Sequence, residues 1–191
     1  MSARESIVMM TASLVIGLIC GVFAVGLNWS VHTLRHYITE LELGWSIIFI
    51  PALGAGIAVY LVRSLIRDSA AHGVSDVIKA MALGSEILRR RMIHSRFIGS
   101  LLTVGTGGST GLEGPIVSIG GALGSALGRW MEMNERHKKL LVGYGAAGAV
   151  AGIFNAPLTG LIFSLEIIIG CLLYTSPSPR DRSLSRMPSS A

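Results

Sequence analysis

Glu113 is the residue of this chain whose type and position most clearly suggest chemistry. It lies in the glycine-rich segment GTGGSTGLEGPIVSIGGALG, residues 105–124, and no other carboxylate occurs between Glu86 and Glu132. Pro115 is typical of the first position of a helix, so we expect Glu113 to sit beside a helix N-terminus. A carboxylate there occupies the place of a bound anion. We therefore predict that Glu113 competes with an anion and vacates the site when it is protonated or swings away; a purely structural helix cap is the alternative.

Ser109 offers a second, different chemistry. Residues 107–111 fit the G-x-S-x-G pattern of serine hydrolases, and His72 would have to serve as the base. That nucleophile elbow needs a strand before the serine, whereas an apolar helix is predicted there. An intramembrane serine hydrolase that uses Ser109 and His72 remains the alternative function, although this missing strand disfavours it. The glycine run lacks the G-K-[ST] of a phosphate loop, which disfavours nucleotide binding.

The composition predicts an all-α polytopic membrane protein. Hydrophobic residues make up 51% of the chain and charged residues 14%, against roughly 25% charged residues in a soluble domain. The net charge of +5 comes from short basic clusters between apolar segments, without interleaved aromatic residues, so we expect no nucleic-acid partner. The two cysteines, Cys20 and Cys171, have neither metal-ligand spacing nor a disulfide pattern. We expect no metal, no cofactor and no enzymatic activity.

The apolar segments differ in length, and the differences are informative. Two of them, residues 6–31 and 44–62, are long enough to cross a bilayer, and Pro51 and Gly54 in the second predict a kink or a tight contact. The remaining predicted helices are shorter, and they cover residues 73–83, 92–104, 115–131, 138–153 and 156–170. Broken helices at membrane depth occur where protein or a water-filled cavity surrounds them, and their N-termini point at anionic ligands. This pattern predicts a buried anion site.

Glycines recur at helical spacing in the later segments. They are Gly120, Gly124 and Gly128, followed by Gly145, Gly148 and Gly152. Small residues three or four positions apart let membrane helices approach closely, so we predict packing roles for most of them.

The distribution of lysine and arginine predicts the orientation in the membrane. Basic residues concentrate in 63–96 and 129–139, which we place in the cytoplasm together with the N-terminus, and residues 32–43 fall outside. The stretch between the two cytoplasmic regions must then enter the membrane and return, with its turning point at the glycine loop that carries Glu113. We expect an integral membrane protein with a cytoplasmic N-terminus.

Two motifs resemble the CLC family of chloride channels and proton-coupled chloride exchangers. GLEGP at 111–115 is similar to the family signature Gly-Lys/Arg-Glu-Gly-Pro, and GAAGAVAGIFNAPLTGLIFSLE at 145–166 is similar to its paired helices around Phe-Asn-Ala-Pro-Leu. The resemblance covers residues 6–170 and implies the first part of an inverted-repeat fold. It implies transport of chloride or a similar small anion, with protons as the counter-substrate in exchangers, in a lipid-embedded homodimer. It also implies that Glu113 is the gating glutamate and that Gly111, Gly114 and Pro115 shape the outer anion path.

The first anion motif of that family departs from its usual form here. The common Gly-Ser-Gly-Ile-Pro-Glu stands as Ala71-His72-Gly73-Val74-Ser75-Asp76, which is similar to a bacterial branch with Gly-His-Gly-Val-Pro-Glu. This resemblance implies a protein of a bacterial inner membrane. His72 thus replaces the serine that would donate to the anion. Its ring N–H could take over that bond, or His72 could be an interfacial histidine that leaves the N–H groups of Gly73 and Val74 to bind the ion.

Two further departures concern charge. Leu112 replaces the basic residue beside the gate, which predicts a changed anion affinity or pH response. The glutamate that relays protons in some exchangers aligns with Ile167, which does not ionise, and Glu166 is the neighbouring carboxylate. Channel and exchanger both remain open.

The end of the chain changes character after Gly170. Back-translation of residues 171–181 and 185–191 resembles a transposase sequencing adapter, with 182–184 where a sample index would fall. We therefore expect 171–191 to be translated adapter, non-native and disordered. Residues 1–170 would then be a truncated membrane domain that transports nothing on its own.

Overall fold

The computed structural model describes residues 3–41, 48–66, 73–83 and 88–166. His72, Ile167 and the predicted adapter segment 171–191 lie outside these residues. The described parts form seven α-helices, which confirms the predicted fold class. They are α1 (Ala3–Glu40), α2 (Ile50–Leu61) with a π-helical turn at Val62–Ile66, α3 (Val74–Leu83), α4 (Arg91–Gly105), α5 (Glu113–Trp130), α6 (Glu135–Phe154) and α7 (Pro157–Leu165).

The first helix is longer than the sequence predicted. It continues to Glu40, beyond the predicted apolar span 6–31. Polar side chains do not by themselves end a helix; glycine or proline would, and neither occurs between Gly26 and Gly44. Among the described residues, the stretch Glu5–Glu40 is the one helical segment that is long and apolar enough, by length and composition, to cross a membrane.

The two faces of α1 are both apolar. Ile16, Cys20 and Leu27 lie at helical spacing on the buried face. The opposite face is just as apolar yet exposed, and it carries Leu14, Leu18, Val22, Val25 and Trp29. An exposed continuous apolar stripe suits hydrocarbon and not water.

The packing roles predicted for the glycines of α5 and α6 are confirmed. A Cβ on Gly120 would overlap the carbonyl oxygen of Gly145, and a Cβ on Gly145 would overlap that of Gly120. Gly124 meets Leu141 in the same way, so the backbones of α5 and α6 touch along this seam. Gly148 and Gly152 use the other side of α6 and approach α1 at Gly17 and Gly21. The glycines thus join α1, α6 and α5 into one packed layer.

Of the shorter helices, α2 packs against α4, α3 packs against α5, α4 packs against both α1 and α5, and α7 packs against α6. α3 has the predicted two to three turns, and Pro51 occurs in the first turn of α2. The tight contact predicted at Gly54 is confirmed, because a Cβ there would overlap the side chain of Thr106 just after α4. α2 and α3 therefore flank the turn between α4 and α5.

Candidate functional site

The site begins where the N-termini of two helices meet. α3 starts at Val74, directly after Gly73, whose φ of +48° is accessible to glycine at little cost. A Cβ on Gly73 would lie 3.3 Å from the Cα of Gly114, in the first turn of α5. The buried Ser118 hydroxyl donates a 2.7 Å hydrogen bond to the carbonyl oxygen of Gly73. Residues 73 and 74 of one sequence motif and 113 and 114 of the other are thereby adjacent, although 40 positions separate them.

The chain reaches this meeting point because α4 ends abruptly. The N–H of Gly108 donates to the carbonyl of Thr103 at 2.9 Å, and the N–H of Gly107 donates to that of Val104 at 3.0 Å. Gly107 has a φ of +99°. This is the Schellman arrangement, which satisfies the last carbonyls of a helix and turns the chain away from its axis. Residues 109–112 then carry the backbone to the start of α5.

Glu113 is the first residue of α5 and is exposed. Its carboxylate folds back over Gly111, where a Cβ would overlap Oε2 of Glu113. Leu112, the residue before the helix, makes no side-chain capping bond, and its side chain packs partly against the core. Glu113 is therefore the acidic group of this helix start, where the N–H groups and the dipole favour negative charge.

Pro115 is the third residue of α5 and not the first, so the predicted helix start was two residues late. Its missing N–H costs nothing at this position, because the first four N–H groups of a helix have no partner within the helix. The displacement puts Glu113 inside the first turn and not before it.

A cavity of about 270 Å³ opens beside the glycine loop. Thr110, Gly111 and Pro115 form one wall, and α4 forms another with Thr103 and Arg96. The remaining wall comes from α2. The cavity therefore lies beside the residues that flank Glu113, and its lining includes the polar side chains of Thr103, Thr110 and Arg96.

Arg96 is a residue of the site region that the sequence analysis missed. Its Nη2 lies 3.2 Å from Oδ2 of Asp76, and both side chains are only 15% exposed. The ion pair joins the first turn of α3 to the middle of α4, so it holds the N-terminus of α3 in place. An arginine within an apolar helix, together with an acidic residue in the first anion motif, was the signal that could have identified it.

The remaining predicted residues, Glu166 and Ser109, are not part of the contact between α3 and α5. α6 ends at Asn155 in the left-handed region, with a φ of +51°, and α7 begins with Pro157. Glu166 follows the last residue of α7 and is exposed. Ser109 is exposed in the loop that follows α4. The element before it is a helix, whereas the hydrolase alternative requires a strand there.

Comparison with known proteins gives concordant results. A family model described as voltage gated chloride channel matches residues 54–178. A putative chloride channel protein ClcB-like of Ralstonia nicotianae is 32% identical over 139 residues, which are 71% of this chain and 32% of the relative. The H(+)/Cl(−) exchange transporter ClcA of Vibrio cholerae is 30% identical over 178 residues, which are 88% of this chain and 38% of the relative.

Two solved structures share the fold. A CLC-type fluoride/proton antiporter superposes with a TM-score of 0.75 at 25% identity, over 100% of this chain and 52% of that one. A slow cyanobacterial Cl⁻/H⁺ antiporter superposes with a TM-score of 0.71 at 22% identity, over 95% of this chain and 48% of that one. The chain thus spans about a third of the length of these curated relatives and about half of the solved chains.

Proposed function

Because the chain belongs to the voltage-gated chloride channel family, whose members are integral membrane proteins, we propose that the complete protein moves chloride or a similar small anion across a membrane. We further propose that Glu113 gates the path. One observation supports this proposal. Glu113 is the first residue of α5, and it lies where the N-termini of α3 and α5 touch through Gly73 and Gly114.

The mechanism follows from competition for that place. Helix starts expose N–H groups that no intrahelical carbonyl accepts, and an anion between two such starts gains from both dipoles. The ionised Glu113 carboxylate is a tethered anion at one of them. Protonation removes its charge, and rotation of its side chain removes its bulk; either change makes room for a transported anion.

Gly73, Val74, Gly111, Leu112, Gly114 and Pro115 would form the described part of the anion path, and His72 would extend it. The backbone N–H groups of Gly73 and Val74 suffice for the α3 side, with or without the ring of His72. Leu112 contributes no charge beside the gate. Among the described residues that line the neighbouring cavity, Arg96 is the charged one, and it is paired with Asp76.

Substitution of Glu113 tests the gate in the complete protein. Glu113→Gln mimics the protonated form and should give anion flux with a much weaker pH dependence. Glu113→Ala should do the same and abolish any proton coupling, because no carboxyl group remains to carry the proton. Glu113→Asp shortens the side chain by one methylene and should distort gating while it keeps a titrating group.

The assay is anion efflux from liposomes at several pH values, with proton uptake recorded in parallel. Glu132→Gln is the matched control, because Glu132 is an exposed carboxylate in the loop between α5 and α6. If the Gln and Ala variants of Glu113 keep the wild-type pH dependence and coupling, Glu113 is a structural cap. Proton uptake by the wild type distinguishes an exchanger from a channel.

We propose that the 191-residue chain alone does not transport. Glu113 is exposed on it, and a lipid-exposed carboxylate is unfavourable at membrane depth. In the complete protein, further helices and a second subunit would shield such surfaces, with residues 63–96 and 129–139 on the cytoplasmic side of a bacterial inner membrane. Selective anion flux from liposomes that contain the purified chain alone, above that of empty liposomes, would contradict this proposal.

A further inference from the structure

A cluster of arginine side chains lies at the far end of α5 from Glu113. Leu88, Arg89 and Arg90, which precede α4, line a cavity of about 360 Å³ together with Arg129 of α5. We refer to these four residues as the arginine pocket. Arg129 is sixteen residues along α5 from Glu113, or about 24 Å at 1.5 Å per residue. The arginine pocket is therefore at the opposite end of α5 from the proposed anion path.

Arg129 fixes the geometry of the pocket. Its Nη1 donates to Oγ of Ser125 at 2.6 Å, one turn earlier on α5. Its Nη2 donates to the carbonyl oxygen of Leu88 at 3.2 Å. These bonds hold the Arg129 guanidinium group against the segment that carries Arg89 and Arg90, so three guanidinium groups surround one space.

The charged side chains in the described lining of the pocket are all basic. Arg89 and Arg90 are exposed, and no acidic side chain among the described residues lines the cavity. The first amides of α4 are already engaged, since the N–H of Met92 donates to the carbonyl of Arg89 at 3.0 Å. A ligand would therefore be recognised by guanidinium groups, whose planar donor pairs match the oxygens of a phosphate.

The surroundings favour a lipid as the source of that phosphate. Trp130 directly follows Arg129 and is 76% exposed at the end of an otherwise largely buried helix. Exposed tryptophan is typical of the membrane–water interface, and basic pockets between membrane helices on the cytoplasmic side bind anionic headgroups. We propose that the arginine pocket binds the phosphodiester headgroup of an anionic phospholipid.

Native mass spectrometry of the purified chain in detergent tests this proposal. The chain is titrated with dioleoyl phosphatidylglycerol or with dioleoyl phosphatidylcholine, which share acyl chains and phosphodiester but differ in net charge. We expect retention of the anionic lipid and weaker retention of the zwitterionic one. The Arg89→Gln/Arg90→Gln variant should lose affinity for phosphatidylglycerol by about fivefold per arginine, the contribution typical of one cation near an anionic headgroup.

Two further variants test whether the lipid is retained by the pocket arginines or by positive charge in general. Arg63→Gln/Arg136→Gln removes the same charge from exposed positions that do not line the pocket, and it should retain the lipid as the wild type does. Arg89→Lys/Arg90→Lys keeps the charge but not the planar donors, so it should recover part of the affinity. This variant also keeps the test informative if the Gln variant does not fold.

Three results would overturn the proposal. One is equal retention of the two lipids by the wild type. Another is an equal loss of affinity in the Arg63/Arg136 control and in the pocket variant. The third is displacement of the lipid by inorganic phosphate at an equal concentration, which would assign the pocket to free phosphate.

Discussion

Gly111→Ala is the substitution that most directly tests how Glu113 is held. A Cβ at residue 111 would overlap Oε2 of Glu113, and this contact is with the mobile end of a side chain and not with backbone. The variant should therefore keep its fold and displace the carboxylate. If the position over Gly111 is the closed state of the gate, the variant weakens closure while it leaves the ionisable group present.

The expected size follows from the strain of keeping the carboxylate in place. An off-rotamer side chain costs about 0.5 to 1.5 kcal/mol, which corresponds to a decrease of about two- to tenfold in the population of the closed state. Anion flux in the complete protein should rise by that factor under conditions in which the ionised carboxylate closes the path. The pH dependence should become weaker but persist, because the carboxyl group of Glu113 is still present.

The double variant Gly111→Ala/Glu113→Gln makes the test specific. If residue 111 acts only through the Glu113 carboxylate, the double variant should behave as Glu113→Gln alone, since two changes to one interaction do not add. Gly56→Ala is the control: a Cβ there meets nothing within 4 Å, so flux should stay at the wild-type level. Lower flux in Gly111→Ala, or effects that add in the double variant, would refute the reasoning.

Three further predictions concern the contacts that position the site. Gly120→Ala should destabilise the chain by about 1 to 3 kcal/mol because its Cβ would overlap backbone of α6, whereas Gly26→Ala, which meets nothing, should not; melting temperatures in detergent compare the two. Asp76→Asn should cost about 1.5 to 3 kcal/mol by weakening the bond to Arg96, and a simultaneous Arg96→Met should recover part of that loss in the same assay. Ser118→Ala removes the bond to Gly73 and should cost about 1 kcal/mol; an unchanged melting temperature would show that this bond does not hold α3 to α5.

The order of the helices was predictable from the sequence, whereas several of their ends were not. Apolar runs interrupted by glycine gave the short α3, the break after α4 and the restart at α5, because these interruptions are local. The extension of α1 to Glu40 was missed, since residues 32–40 carry the charged or titratable side chains of His32, Arg35, His36 and Glu40 yet contain no glycine or proline that stops a helix. Polarity predicts where a helix leaves the hydrocarbon and does not predict where it ends.

The candidate site was predictable as a set of residues but not as an arrangement. Glu113 could be singled out because it is an isolated carboxylate in an apolar region, and the helix starts could be inferred from glycine and proline. The contact between Gly73 and Gly114 and the ion pair of Asp76 with Arg96 join segments that are distant in sequence. Such contacts leave no periodicity in a single sequence, and only the packing of α3, α4 and α5 produces them.

The glycines show why residue type alone did not identify Gly111 as the residue over which the Glu113 carboxylate lies. Gly107 ends α4 with a φ of +99°, Gly120 lets α5 touch the backbone of α6, and Gly111 leaves room for a carboxylate. The first role depends on backbone conformation, the second on a neighbouring helix, and the third on one side chain two positions away. A methyl group at Gly107 would be strained wherever its neighbours lay, and one at Gly120 would push two helices apart. At Gly111 it would move only the carboxylate of Glu113, so the glycine with the smallest structural role has the most direct link to the proposed gate.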